Sequence, residues 1–92
     1  MALKILSEPS RSMDSDATLE ALREAIQQAI PDGQVEVEAC SPGHFEIRVV
    51  SQAFEGRNRV QQQQLVYAAI APMMRGDAAP VHAIDRLLTE VP

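Results

Sequence analysis

Two short runs of alternating residues around one Pro-Gly turn constrain this chain more than any other feature. Val35, Val37 and Ala39 alternate with Glu36, Glu38 and Cys40; after Ser41-Pro42-Gly43, Phe45, Ile47 and Val49 alternate with His44, Glu46 and Arg48. A period of two marks a strand with one buried face, because successive side chains point to opposite sides of the pleat. With so short a connection the economical fold is a hairpin. Its inner face carries residues 35, 37, 39, 45, 47 and 49. Cys40 and His44 fall on the outer face beside the loop, where a cross-strand pair would bring their β-carbons to roughly 5 Å.

The cover for that apolar face comes from helical stripes on either side. Leu19, Leu22, Ile26 and Ile30 recur at spacings of three and four, so one helical face meets a core. Ser15 or Asp16 is expected to cap this helix, and Pro31-Asp32-Gly33 to end it, Pro31 lacking the donor and Gly33 accepting the turn. Asn58 with Gln61 resembles a capping box. The helix that follows runs to about Ala71, with Val66, Ile70 and Met73 as its stripe and Leu65 and Ala69 beside it; Pro72 must kink or end it. Residues 1–14 read as a flexible lead-in to a single domain over 15–92, and translation from Met1 or from Met13 is left open. The last segment is ambiguous: Val81-His82-Ala83-Ile84 opens like a strand, yet Ile84, Leu87 and Leu88 also sit at helical spacing. Periodicity alone therefore gives an α+β fold with helices packed on one sheet face.

Ninety-two residues hold one small core and no large catalytic cleft. Eight basic residues against 13 acidic give a net charge of −5, which works against non-specific binding to nucleic acid. A single cysteine fits a reducing compartment, and no apolar run approaches a membrane span; a soluble, cytoplasmic protein is expected, without membrane association. Neither a nucleophile–base pair nor a phosphate-cradling glycine loop is visible, so an enzyme is not the working view. Cys40, His44 and His82 are the soft-ligand inventory, without the spacing of a zinc finger; by themselves each is more simply a structural or surface residue. Arg57 and Arg59 make a modest positive patch that a solvated helix start explains equally well. Met73 and Met74 read as packing residues.

The stretch His44-Phe45-Glu46-Ile47-Arg48-Val49-Val50-Ser51, followed by Phe54-Glu55-Gly56-Arg57-Asn58-Arg59-Val60, resembles the BolA family. That family shows a His-Phe strand opening, a Val-Val-Ser strand end and a Phe-x-Gly-x-x-Arg link. Gln63-Gln64-Leu65-Val66-Tyr67 is similar to its long helix, and Val81-His82-Ala83-Ile84 to its hallmark Ile/Val-His-Ala-Leu segment. The short hairpin and Arg59-Val60 resemble the IbaG-type branch. The likeness covers about residues 17 to 84.

The resemblance implies a class II KH-like α/β sandwich in the order α-β-β-α-α-β, with a three-stranded sheet, a short helical turn near Ala53 to Gly56, and residues 81–88 as the third strand. Here Asp85-Arg86 interrupt the family's alternation, and a bulge at Asp85 would restore the inward facing of Leu87. Phe54 and Tyr67 become structural residues, and Gly56 is expected in a conformation barred to residues with side chains. The implied activity is not catalysis. It is a partnership with a monothiol glutaredoxin around a shared 2Fe–2S cluster, in iron homeostasis or cluster trafficking. His82 would be one ligand, carried to the face opposite Val81 by strand alternation. The first hairpin loop would offer a second, Cys40 in preference to His44 because such clusters favour sulfur. Glutaredoxin and glutathione would supply the rest, so that the chain does not hold the cluster alone. Some family members bind DNA and regulate transcription under stress, which makes a KH-like regulator using Arg57 and Arg59 the alternative; the missing second glycine and the net charge weigh against it.

Overall fold

The computed structural model describes the backbone of residues 9–76 and 79–92, and the side chains within those spans from Asp16 onward. Helix α1 (Pro9–Ala29) leads into strand β1 (Gln34–Ser41) and strand β2 (His44–Val50). A 3-10 turn (Gln52–Phe54) precedes helix α2 (Arg59–Ile70), which tightens into a second 3-10 turn (Ala71–Met74); strand β3 (Ala83–Glu90) closes the order. The sheet runs β1-β2-β3, with β1 antiparallel to β2 and β3 parallel to it. The topology is the α+β order expected for the domain, with the short turn and the third strand in their places.

The core lies between one face of the sheet and the two helices. Leu22, Ile26 and Ile30 from α1 meet Phe45, Ile47 and Val49 from β2 and Val66 and Ile70 from α2, with Phe54 and Val81 sealing the ends. Of the predicted helical stripes, Leu22, Ile26, Ile30, Val66 and Ile70 are buried, while Leu19 and Met73 are half-buried against them. Only the central strand alternates cleanly between buried and half-buried positions. On β1, Val35 and Val37 are half-buried and Ala39 is exposed, because an edge strand has sheet on one side only. Phe54 is wholly buried, whereas Tyr67, expected to be structural, stands 38% exposed on α2.

Three local outcomes depart from the sequence reading. Residues 1–8 of the expected lead-in lie outside the described residues, but from Pro9 the backbone is already helical, so Ser15 and Asp16 lie inside α1 and do not start it. Proline suits the first turn because its missing N–H would be unpaired there anyway. Gly33 does not supply a left-handed turn, since positive φ is confined to Gly43, Gly56 and Gly76 among the described residues. It is needed for closeness: a β-carbon at Gly33 would lie 3.1 Å from the Ile30 carbonyl oxygen and 3.2 Å from Ile30 Cγ2. Strand β3 begins at Ala83, two residues later than expected, leaving Val81 and His82 in the approach to it.

The expected bulge is present. Phe45 pairs with Ile84 and Glu46 with Arg86, so Asp85 is the extra residue. Leu87 then opposes Ile47 and packs against the core. The capping box at Asn58 also forms as predicted: its side chain accepts from the Gln61 N–H at 2.8 Å, and Gln61 Oε1 accepts from the Asn58 N–H at 3.1 Å. Pro72 falls in the 3-10 turn that ends α2.

Candidate functional site

One end of the sheet gathers the residues that carry chemistry. Pro42 and Gly43 form a two-residue corner between β1 and β2, with Gly43 at φ +79°. Proline followed by glycine suits a type II turn, whose second corner requires positive φ. The Gly43 carbonyl then accepts two hydrogen bonds from the approach to β3, from His82 N–H at 2.8 Å and Ala83 N–H at 3.1 Å. The His82 ring lies against the bare Gly43 Cα: a β-carbon there would come within 2.7 Å of Nδ1 and 2.8 Å of Cγ. His82 itself is exposed while Val81 beside it is buried. Its outward position therefore comes from docking on the hairpin turn and not from strand alternation.

The hairpin places its two candidate donors differently from the simple pairing expected. His44 pairs with Ser41, and the register slips between Ala39 and Ser41, so Cys40 is the extra residue of a bulge in β1. His44 faces the other neighbour: its Nδ1 lies 2.9 Å from Asp85 Oδ1, with both side chains about two-fifths exposed. A ring that donates Nδ1–H to a carboxylate presents a lone pair on Nε2, an arrangement common behind ligating histidines. Asp85 is thus both the bulge of β3 and the partner of His44. Its place as an extra residue was readable from the sequence; its partner was not, because nothing local links positions 41 residues apart.

The Cys40 thiol is exposed and free. Partial desolvation, then the carboxylates of Glu46 and Asp85, a hydrogen bond with Glu46, and the charge of Glu38 hold it above its ordinary pKa. Each of these disfavours the thiolate, so a metal would have to drive the proton off. Among the described residues no group of three or more His, Cys, Asp and Glu side chains is arranged to hold a metal ion. The donor types at this end are an exposed imidazole, an exposed thiol and a half-exposed second imidazole.

Arg57 and Arg59 lie at the start of α2, away from this cluster in sequence and on a different element. Arg57 Nε donates to the Ala53 carbonyl at 3.0 Å, which ties part of its guanidinium to the turn. A polar clasp that the sequence reading missed joins the other end of β2 to the helix–strand turn. Ser51 is wholly buried; its hydroxyl donates to Asp32 Oδ1 at 2.7 Å and accepts from the Ala53 N–H at 2.9 Å. The Gln52 N–H donates to Asp32 Oδ2 at 2.9 Å. Those bonds, the Ser51 one first, hold the Asp32 carboxyl below its usual range. Asp32 had the look of a turn residue only.

The fold and this end together define a class: small α+β sandwiches with helices on one side of a three-stranded mixed sheet, and a histidine docked on the first hairpin. The model of the family described as BolA-like protein matches residues 16–89, and the chain belongs to that family. It is 37% identical over 65 residues to a protein of Acinetobacter guillouiae described as an uncharacterized protein in the rpoN-murA intergenic region, covering 71% of this chain and 75% of that one. It is 39% identical over 70 residues to human BolA-like protein 1, covering 76% of this chain and 44% of the human protein's length. BolA1 from Arabidopsis thaliana superposes with a TM-score of 0.67 at 26% identity, over 80% of this chain and 90% of that one. The BolA domain of SufE1 from the same plant superposes with a TM-score of 0.69 at 23% identity, over 82% and 92% of the two chains.

Proposed function

We propose that this chain is a non-catalytic adaptor that shares a 2Fe–2S cluster with a monothiol glutaredoxin, in iron homeostasis or cluster trafficking. The observation that carries the reading is the docking of His82 on the hairpin turn, through two hydrogen bonds to the Gly43 carbonyl and a ring laid on its Cα. That contact puts an exposed imidazole beside the hairpin turn, which Cys40 of β1 and His44 of β2 flank, two positions whose side chains are the right chemical types. His82 and Cys40 would hold the cluster from this side, with His44 as the alternative donor; glutaredoxin and its glutathione would supply the other thiolates. Mixed nitrogen and sulfur ligation raises a cluster's potential relative to all-thiolate sites.

The reading is tested by adding the purified chain to a cluster-loaded monothiol glutaredoxin. A change in visible absorption and circular dichroism, with a mixed complex on sizing, is expected. His82→Ala should keep the fold and lose the spectral change. Wild-type spectra in that variant would remove His82, and no complex with the unmodified chain would remove the reading.

A further inference from the structure

Among the described residues, strand β1 forms one edge of the sheet and pairs only with β2, so the backbone groups along its outer side have no strand partner there. The same edge carries an unfavourable charge arrangement. Glu38 stands directly opposite Glu46 across the β1–β2 ladder, and like charges so placed destabilise a pair. Arg48 reaches Glu36 at 3.5 Å but is shared with Glu90 at 3.0 Å. Among the described residues no cation lies within ion-pair distance of Glu38 or Glu46. On the helix side of the same strand, Val35 and Val37 remain only half-buried. A hollow of about 470 Å³ extends from this strand across the sheet, its walls including Glu36 and Glu38 of β1, Glu46 and Arg48 of β2, and Arg86 and Leu88 of β3.

Charged side chains on an edge strand ordinarily discourage strand addition. Here the charges are of one sign, so they discriminate between partners. A second copy pairing antiparallel about Val37 would set Glu36 of one chain against Glu38 of the other, twice over. A strand with cationic residues on alternate positions would answer both carboxylates and relieve the contact of Glu38 with Glu46. The residues between them would cover Val35 and Val37. We propose that the free edge of β1 takes up, as a fourth strand, an extended segment of a partner protein that alternates lysine or arginine with apolar residues. Backbone hydrogen bonds would give the affinity and the alternating charges the choice of partner.

The test is an amide chemical-shift titration of the full chain with a synthetic nonapeptide alternating lysine and valine, beside its glutamate–valine counterpart. Shifts confined to residues 34–41 and their β2 partners are expected with the lysine peptide alone. Binding should fall about tenfold in Glu36→Lys/Glu38→Lys, as expected when two cross-strand charge pairs are lost, and weaken with added salt. Glu36→Gln/Glu38→Gln keeps the test decisive if the lysine substitutions disturb the hairpin, since it removes the charges without reversing them. Shifts centred elsewhere, equal binding of the glutamate peptide, affinity indifferent to both double variants, or no binding at millimolar peptide would each overturn the proposal. So would a dimer of the unmodified chain joined through β1.

Discussion

Substituting alanine for Gly43 should be costly in a way that isolates the contact holding His82. Two penalties act at this position. The backbone sits at φ +79°, a left-handed conformation that costs an L-residue roughly 1–2 kcal/mol. The new β-carbon would also lie 2.7 Å from His82 Nδ1, 2.8 Å from Cγ and 3.2 Å from Cβ. Rotating the ring away does not clear the last of these, because the His82 Cβ is fixed to the backbone that Gly43 itself holds by two hydrogen bonds. Overpacking of this kind typically costs a further 1–3 kcal/mol or so, for a total of about 2–5 kcal/mol. Gly56 is the internal control: it has the same φ of +79° with nothing within 4 Å of an added β-carbon, so Gly56→Ala should cost only about 1–2 kcal/mol. Urea unfolding of the two variants, at unchanged m-value, reads the difference directly. Placing Gly43→Ala in a His82→Ala background removes the two closest contacts and should recover about 1–2 kcal/mol as coupling. Equal costs at Gly43 and Gly56, or no recovery in the double variant, would show that the ring does not rest on the turn.

Other expectations concern the clasp, the core and the loop donors. Asp32 has a depressed folded-state pKa, so its carboxylate contributes stability that is present above the unfolded value of about 3.9 and is lost as pH falls through the folded one; in Asp32→Asn, acid titration of unfolding should lose that component. Ser51→Ala should cost about 1–3 kcal/mol, because it removes two hydrogen bonds at a wholly buried position. Phe54→Ala should cost about 3–5 kcal/mol, and a melting point within a degree or two of the unmodified chain would contradict the burial of that ring. With its raised pKa, Cys40 should alkylate more slowly than glutathione at pH 7.5 and faster in Glu46→Gln, since only the thiolate reacts. In the glutaredoxin mixture, Cys40→Ser should shift the cluster spectrum and shorten its lifetime while His44→Ala leaves both unchanged; the opposite pattern would assign the ligand to His44, whose Nδ1 lies 2.9 Å from Asp85 Oδ1.

What the sequence by itself determined is what short-range periodicity can encode. The alternation from Val35 to Val49, the helical stripes through Leu22–Ile30 and Val66–Ile70, and the Asn58–Gln61 capping box each involve residues a few positions apart, whose relative placement follows from one repeating backbone geometry. The family resemblance settled the last segment, and the interruption at Asp85 showed where one extra residue had to go for Leu87 to face inward. Tertiary structure decided everything that depends on two distant segments meeting. His82 meets Gly43 at a sequence separation of 39, His44 meets Asp85 at one of 41, and Ser51 meets Asp32 at one of 19. Cys40 moved out of register with His44 because a bulge answers to the pairing of a whole ladder and leaves no mark in the local alternation. Gly33 shows the same division at a single residue: its position after a proline marked a turn, but only the packing of Ile30 against it shows that the missing side chain matters for space and not for φ.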